Sequence, residues 1–249
     1  MKDENQIILV DKPAGISSFG VVAKVRGYLK NEFGHEVKVG HTGTLDPFAT
    51  GLLILLTGKN TKKSNEFLKL DKIYEATLKL GFISSTGDPE GQITEYNVAS
   101  KVPEDTLSRS IFADGANTER PSPVTTGARE RSEKDVSLVL KDFIGIITQT
   151  PPRFSAIKIN GERAYKLARK GQDFEIPSRK VEIYSINILN YNYPELKIHV
   201  HCSSGTYIRT LAEDIGKKLN TGAYLTELRR IKIGDYDIKD ALPLSHFTK

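Results

Sequence analysis

Continuous, alternating and helically spaced apolar runs succeed one another along the chain. Gln6 to Val10 (QIILV) predicts a short buried strand that ends in Asp11, Lys12, Pro13, Ala14 and Gly15. Ser17 or Ser18 then caps a helix reaching about Lys30, with Val21, Val22, Val25 and Leu29 on one stripe. Gly51 to Thr57 is apolar without interruption and bounded by glycines, which predicts a strand buried on both faces. Residues 72–81 alternate instead: Ile73, Glu75, Thr77 and Lys79 oppose Tyr74, Ala76, Leu78 and Leu80. A half-buried strand with Tyr74 on its apolar face follows. Thr86 to Gly91 (TGDPEG) carries turn chemistry.

The second half reads more unevenly. Ala113 to Glu133 holds no aromatic residue, and Val124 is its one branched aliphatic, so 113–133 is expected to be a flexible surface insertion. Glu133 to Phe143 resumes helical spacing through Val136, Val139, Leu140 and Phe143. Arg179 to Asn190 and Glu195 to Cys202 predict a strand pair closing around Asn192, Tyr193 and Pro194. Thr206 to Leu219 predicts an amphipathic helix with Tyr207, Ile208, Leu211, Ile215 and Leu219 inward. No repeat and no strict βαβ rhythm appears, which favours an α+β fold.

Composition narrows the classes. At 249 residues and a mean hydropathy of −0.35, the chain is long enough for a substantial core. No apolar run approaches the roughly 20 residues of a membrane helix. One cysteine, Cys202, leaves no internal disulfide framework and no Cys-based zinc site. The formal charge of +5 is unevenly spread: residues 1–100 are balanced, and the excess falls after residue 150. The stretch 153–180 concentrates Arg153, Lys158, Arg163, Lys166, Arg169, Lys170, Arg179 and Lys180. Charge alone fits a solvated face and a phosphate contact equally well.

Three apparent motifs carry no chemistry. Gly51 to Lys59 lacks the spacing and the following Ser or Thr of a phosphate-binding loop. Thr44-Leu45-Asp46 lacks the second aspartate of an aspartyl phosphatase, having Phe48 there. His199 and His201 share a strand face without a spaced third metal ligand. The loop Gly40-His-Thr-Gly-Thr-Leu-Asp-Pro-Phe-Ala-Thr-Gly51 differs. Its glycines allow close backbone approach, and Asp46 lies just before a buried strand. That aspartate fits a nucleophile or general base, and equally a turn-capping carboxylate before Pro47.

Residues 40–53 closely resemble the GHTGxLDPxAxGLL motif of the TruB family of tRNA pseudouridine synthases. Asp11 to Ser18 resembles the family's DKPxGxxS opening, and Asp71 to Tyr74 its K-x-Y segment. Pro151 to Gly171 is similar to its RNA-gripping thumb, Cys202 to Thr210 to its GTYIR motif, and Leu225 to Arg230 to its LRR segment. The resemblance implies a pseudouridine synthase fold, a mixed and mostly antiparallel sheet with flanking helices and a central RNA-binding cleft. It implies one catalytic domain over 1–249, with 151–180 as a thumb. Because the chain stops at Lys249, soon after Arg230, no C-terminal PUA domain is expected.

The resemblance also implies the chemistry: isomerisation of uridine 55 in the tRNA T-loop, with no cofactor or metal. Asp46 would be the essential carboxylate, ionised whether it attacks C1′, adds to the uracil ring or removes a sugar proton. Arg209 would pair with it and lower its pKa. Tyr74 would stack on the base near the C5 proton, with Tyr207 and Leu228 lining the pocket. His41 would fill the space left by the flipped base. Lys12 and the thumb's Lys158, Arg163, Lys166 and Arg169 would meet RNA phosphates. The expected partner is the T-arm of tRNA, with no membrane and no obligate protein partner, for a cytoplasmic monomer. A tRNA-folding module without essential catalysis, or a synthase acting on another RNA, is compatible with the same residues.

Overall fold

The computed structural model describes residues 3–97 and 130–248. The first half runs β1 (Ile7–Lys12), α1 (Ser18–Phe33), β2 (Val39–His41), β3 (Thr50–Thr57), α2 (Ser64–Leu68), β4 (Lys72–Leu80), β5 (Phe82–Ser84) and β6 (Ile93–Glu95). After the gap come α3 (Glu133–Lys141), β7 (Gly145–Gln149), β8 (Lys158–Ile159), β9 (Glu162–Arg163) and α4 (Ala164–Arg169). The remainder is β10 (Arg179–Asn192), β11 (Glu195–Cys202), α5 (Ile208–Leu219), β12 (Ala223–Ile233), β13 (Tyr236–Asp237) and β14 (Leu242–Pro243). The expected insertion 113–133 lies, up to residue 129, outside the described residues.

Ten strands form one mixed sheet, in the order β14-β1-β3-β12-β4-β11-β10-β7, with β2 on β3 and β13 on β12. Two neighbouring pairs are parallel, β1 with β14 and β12 with β3; the others are antiparallel. This is the expected mixed α+β architecture. The predicted strand pair also forms, with Ile198 opposite Ile188 and the Tyr193–Pro194 peptide bond cis at the turn.

Three apolar clusters explain why the periodicities take these forms. The α1 stripe of Val21, Val22, Val25 and Leu29 packs on Leu53 and Leu55 of β3. Leu52, Ile54 and Leu56 point the other way, against Phe67 and Ile233. β3 is therefore buried on both faces, as its unbroken run requires. The largest cluster joins Val136 and Leu140 of α3 and Leu211, Ile215 and Leu219 of α5 to Tyr74, Ala76, Leu78 and Leu80 of β4. Helix ends follow capping chemistry: Ser17 Oγ accepts from Gly20 N–H at 3.0 Å, and Ser132 and Asp135 complete a reciprocal capping box on α3.

Among the elements that periodicity did not predict, one is central to the sheet. β12 lies between β3 and β4, yet its sequence AYLTELRRIKI contains Glu227, Arg229, Arg230 and Lys232. Register shifts interrupt its pairing with β4 twice, between Leu225 and Glu227 and between Arg230 and Lys232. The period-2 alternation breaks at each shift.

Candidate active site

The 42–49 loop connects β2 to β3 and carries Asp46. Its backbone is held from three directions. Ser18 Oγ accepts from Leu45 N–H at 2.8 Å and donates to Leu45 C=O at 2.9 Å. Gly15 N–H and Lys12 Nζ both donate to Pro47 C=O, at 2.9 and 3.1 Å. Arg230 Nη2 donates to Gly43 C=O at 3.1 Å. At the loop's exit Gly51 has φ +103, and a Cβ there would lie 2.3 Å from Arg230 O, so only glycine fits.

Arg209, in the first turn of α5, reaches Asp46 as its motif predicts. Nη2 donates to Oδ1 at 3.2 Å, and Nε lies 3.0 Å from Oδ2 without hydrogen-bond alignment. The same guanidinium donates to Thr86 C=O at 3.1 Å and Phe154 C=O at 3.0 Å, and its Nη1 lies 3.3 Å from Asp88 Oδ2. It is 4% exposed, against 31% for the Asp46 side chain, so Asp46 is the partner that reaches solvent. Asp88, read from sequence as part of a turn, is thus a second carboxylate on Arg209. It also accepts from Glu90 N–H at 3.1 Å and from Thr86 Oγ1. A turn that satisfies its own aspartate looks identical in sequence to one that offers it elsewhere.

The electrostatic expectation for Asp46 is corrected. Burial pushes its carboxyl above the ordinary value, and the Arg209 charge offsets this only in part; Asp88 adds to the rise and Lys12 opposes it. Desolvation outweighs the ion pair.

Tyr74 and Leu228 are buried in the same cluster as Leu45 and Ala49 of the loop. Burial raises the Tyr74 phenol, while Arg230 favours its ionised form. His41 closes β2, its Nδ1 3.4 Å from Gly43 N–H, with its pKa lowered by burial and by Arg230 and Arg163. A neutral imidazole suits packing against bases better than gripping phosphate. Tyr207 sits just before α5 beneath Arg179, whose guanidinium lies 4.8 Å from its ring centre. Gln149 brackets Tyr207's backbone, accepting from its N–H at 3.1 Å and donating to its C=O at 3.3 Å. Sequence reading offered no signal for that glutamine.

Lys12 does not occupy the expected position on the RNA surface. It is 0% exposed, and Nζ donates to Pro13, Ile16 and Pro47 carbonyls at 2.8, 2.8 and 3.1 Å. Burial lowers its pKa to about 8. Its role is to join the 13–16 turn to the Asp46 loop. Lys12→Met is therefore expected to cost about 2–4 kcal/mol by stranding these carbonyls, read from the denaturant midpoint. The salt dependence of RNA binding should stay unchanged, because no phosphate contact is lost.

The four thumb residues lie together in and around the β8–β9 hairpin and α4. Lys158, Arg163, Lys166 and Arg169 are all exposed, and none has an acidic partner among the described residues. Arg153 and Lys170, by contrast, are committed to Asp173 and Glu162 at 3.0 and 2.8 Å. Arg163 acts on His41 and Arg169 on Glu90, whose own pKa responds to Asp46. Arg163 and Arg169 thus lie close enough to His41 and Glu90 to act on their charge.

The pattern describing the TruB family pseudouridylate synthase (N terminal domain) matches residues 30–125 and 113–208. That of the tRNA pseudouridylate synthase B C-terminal domain matches 209–249. This chain belongs to the TruB family of pseudouridine synthases. It is similar to the tRNA pseudouridine synthase B of Phocaeicola vulgatus, 41% identical over 98% of this chain and 92% of that protein. The Flavobacterium johnsoniae protein of the same name is 40% identical over 98% and 95%. That of Clostridium kluyveri is 39% identical over 96% and 71%, and so is the longer chain. A solved Cbf5–Nop10–Gar1 complex shares the fold at 26% identity and a TM-score of 0.61. The match covers 97% of this chain and about half, 53%, of the solved one.

Proposed function

We propose that the chain converts uridine 55 in the T-loop of tRNA to pseudouridine, acting as a cytoplasmic monomer on the T-arm. The observation that carries this reading is the placement of Asp46. A buried arginine anchors its carboxylate, which stays partly exposed, while its loop neighbours Leu45 and Ala49 pack in one cluster with Tyr74 and Leu228. The target nucleotide leaves its stack and enters this site, His41 taking its place among the bases. Tyr74 stacks on the flipped uracil; the C1′–N1 bond breaks, the base turns and rejoins through C5, and the C5 proton departs. Every step uses side chains of this chain, without cofactor or metal. Names of relatives that act on tRNA support the substrate class. The 151–180 thumb supplies grip on the RNA backbone.

Pseudouridine mapping of a T-arm stem-loop transcript tests the assignment. One T-loop uridine is expected to be converted; binding without conversion of any uridine points to a tRNA-folding module, and conversion only in other RNAs to a different substrate. The thumb has its own test. Charge reversal at Lys166 and Arg169 is expected to weaken T-arm binding and lower the salt slope by about 0.7–0.9 per lost phosphate contact. An unchanged slope removes the thumb from the interface.

A further inference from the structure

The helix that carries Arg209 is capped from another element. α5 starts after Tyr207, which makes no side-chain capping hydrogen bond among the described residues. A helix start leaves backbone N–H groups without partners, and a capping box satisfies the first of them with a Glu or Gln in the first turn. Thr210 holds that place here, and its hydroxyl donates instead to Thr150 C=O at 3.4 Å. Gln149 supplies the missing acceptor. Its Oε1 accepts from Tyr207 N–H at 3.1 Å, and its Nε2 donates to Tyr207 C=O at 3.3 Å. Gln149 is 1% exposed, so water does not compete for these contacts, and the amide fixes the peptide plane from which the first turn starts.

Gln149 also stands where the thumb meets the sheet. It is the last residue of β7 and lies in register with Arg179, the first of β10, so the thumb leaves and rejoins the sheet at one rung. Both sides of that rung hold the segment 205–210. Arg179 donates to Gly205 C=O and lies over the Tyr207 ring. From the other side, Phe154 C=O accepts from Arg209 Nη2 at 3.0 Å, the same nitrogen that donates to Asp46 Oδ1 at 3.2 Å. Arg209 is the second residue of the helix, so any rotation of the Tyr207 peptide passes directly to the guanidinium.

We propose that Gln149 is a positioning residue: from the root of the thumb it caps α5 at Tyr207 and so aims Arg209 at Asp46. The inference rests on the reaction given above. The amide oxygen and nitrogen of Gln149 are both engaged by Tyr207, so its effect reaches the chemistry through the helix start. A guanidinium held at a fixed angle keeps the Asp46 carboxylate oriented and offsets part of the burial that pushes its pKa up. Asp88 and Lys12 also act on that carboxyl, and Asp46 in turn acts on Glu90 and Tyr74. Of these groups, Arg209 is the one that stands on the capped turn.

The test uses the full chain and a T-arm transcript under single turnover, with the rate followed across pH and RNA affinity measured by gel shift. Wild-type conversion comes first; its failure refutes the reaction itself, and the proposal with it. Gln149→Met keeps the length of the side chain and removes both contacts. It is expected to slow conversion by about ten- to a hundredfold. RNA affinity should stay unchanged, because the exposed thumb cations are untouched. The acid limb of the rate should move to higher pH, because a loosened Arg209 offsets less of the burial of Asp46. A wild-type rate overturns the proposal, as does a slower rate with an unmoved acid limb, or loss of rate and RNA binding together. Should Gln149→Met give no melting transition, Gln149→Asn decides, since it keeps an amide but draws it back by one carbon. A reduced rate and a raised acid limb at unchanged affinity support the cap; a wild-type rate or an unmoved acid limb refutes it.

Discussion

Asp46→Asn is expected to abolish conversion while leaving both the fold and T-arm binding in place. Asparagine keeps the shape but loses the charge and nucleophilicity that each available route requires. Loss of such a group costs roughly four orders of magnitude or more in turnover. The fold should survive because Arg209 keeps Asp88 and the Thr86 and Phe154 carbonyls, and because the loop is held by Ser18, Lys12, Gly15 and Arg230 rather than by Asp46. Binding should survive because the exposed thumb cations are untouched. Gel-shift affinity and pseudouridine mapping on the same preparation separate the two; measurable conversion would remove Asp46 from the chemistry. In wild type, the raised pKa of Asp46 is expected to set the acid limb. The carboxylate is active above its folded pKa, so the rate should fall with acidification at a higher pH than an ordinary aspartate gives.

The second large effect belongs to the Arg209–Asp88 pair, in which both side chains are nearly inaccessible to water. Arg209→Met leaves Asp88 buried without its cation, and breaking such a pair costs about 3–5 kcal/mol. It also frees Asp46 to turn, which is expected to reduce the rate by about a hundred- to a thousandfold. Asp88→Asn separates the contributions. Asn keeps a hydrogen-bonding oxygen facing Arg209, so stability should fall less than in Arg209→Met. The guanidinium then has one carboxylate rather than two to hold its direction, and turnover should still drop. Thermal unfolding and single-turnover rates measure both effects. A rate equal to wild type in Asp88→Asn would show that Asp88 serves the fold alone.

Local patterns proved legible where one element's burial determined them. The run Leu52 to Leu56 reports two covered faces, and α1's valines report one. Motif resemblance singled out Asp46, Tyr74 and Arg209, and the structure brings the first and last into contact. Lys12 was misplaced because a lysine beside a Pro-Ala-Gly turn resembles a phosphate ligand; only the fold reveals the three carbonyls around its ammonium. Asp88 was passed over because its turn satisfies part of the carboxylate locally. β12 was missed because four charges in eleven residues contradict a central strand. That contradiction is resolved by long-range contacts: Arg229 pairs with Asp11, Glu227 with Thr77, and Arg230 with backbone far away in sequence.

The strand order has a bearing on how this molecule comes into being. Asp46 lies on the β3 side of β12 and Tyr74 on the β4 side, while β12 itself brings Leu228 and Arg230. A nascent chain that has emerged only as far as residue 222 holds both the aspartate and the tyrosine, on two blocks of strands with no rung between them. β12 is the strand that joins the two blocks into one sheet.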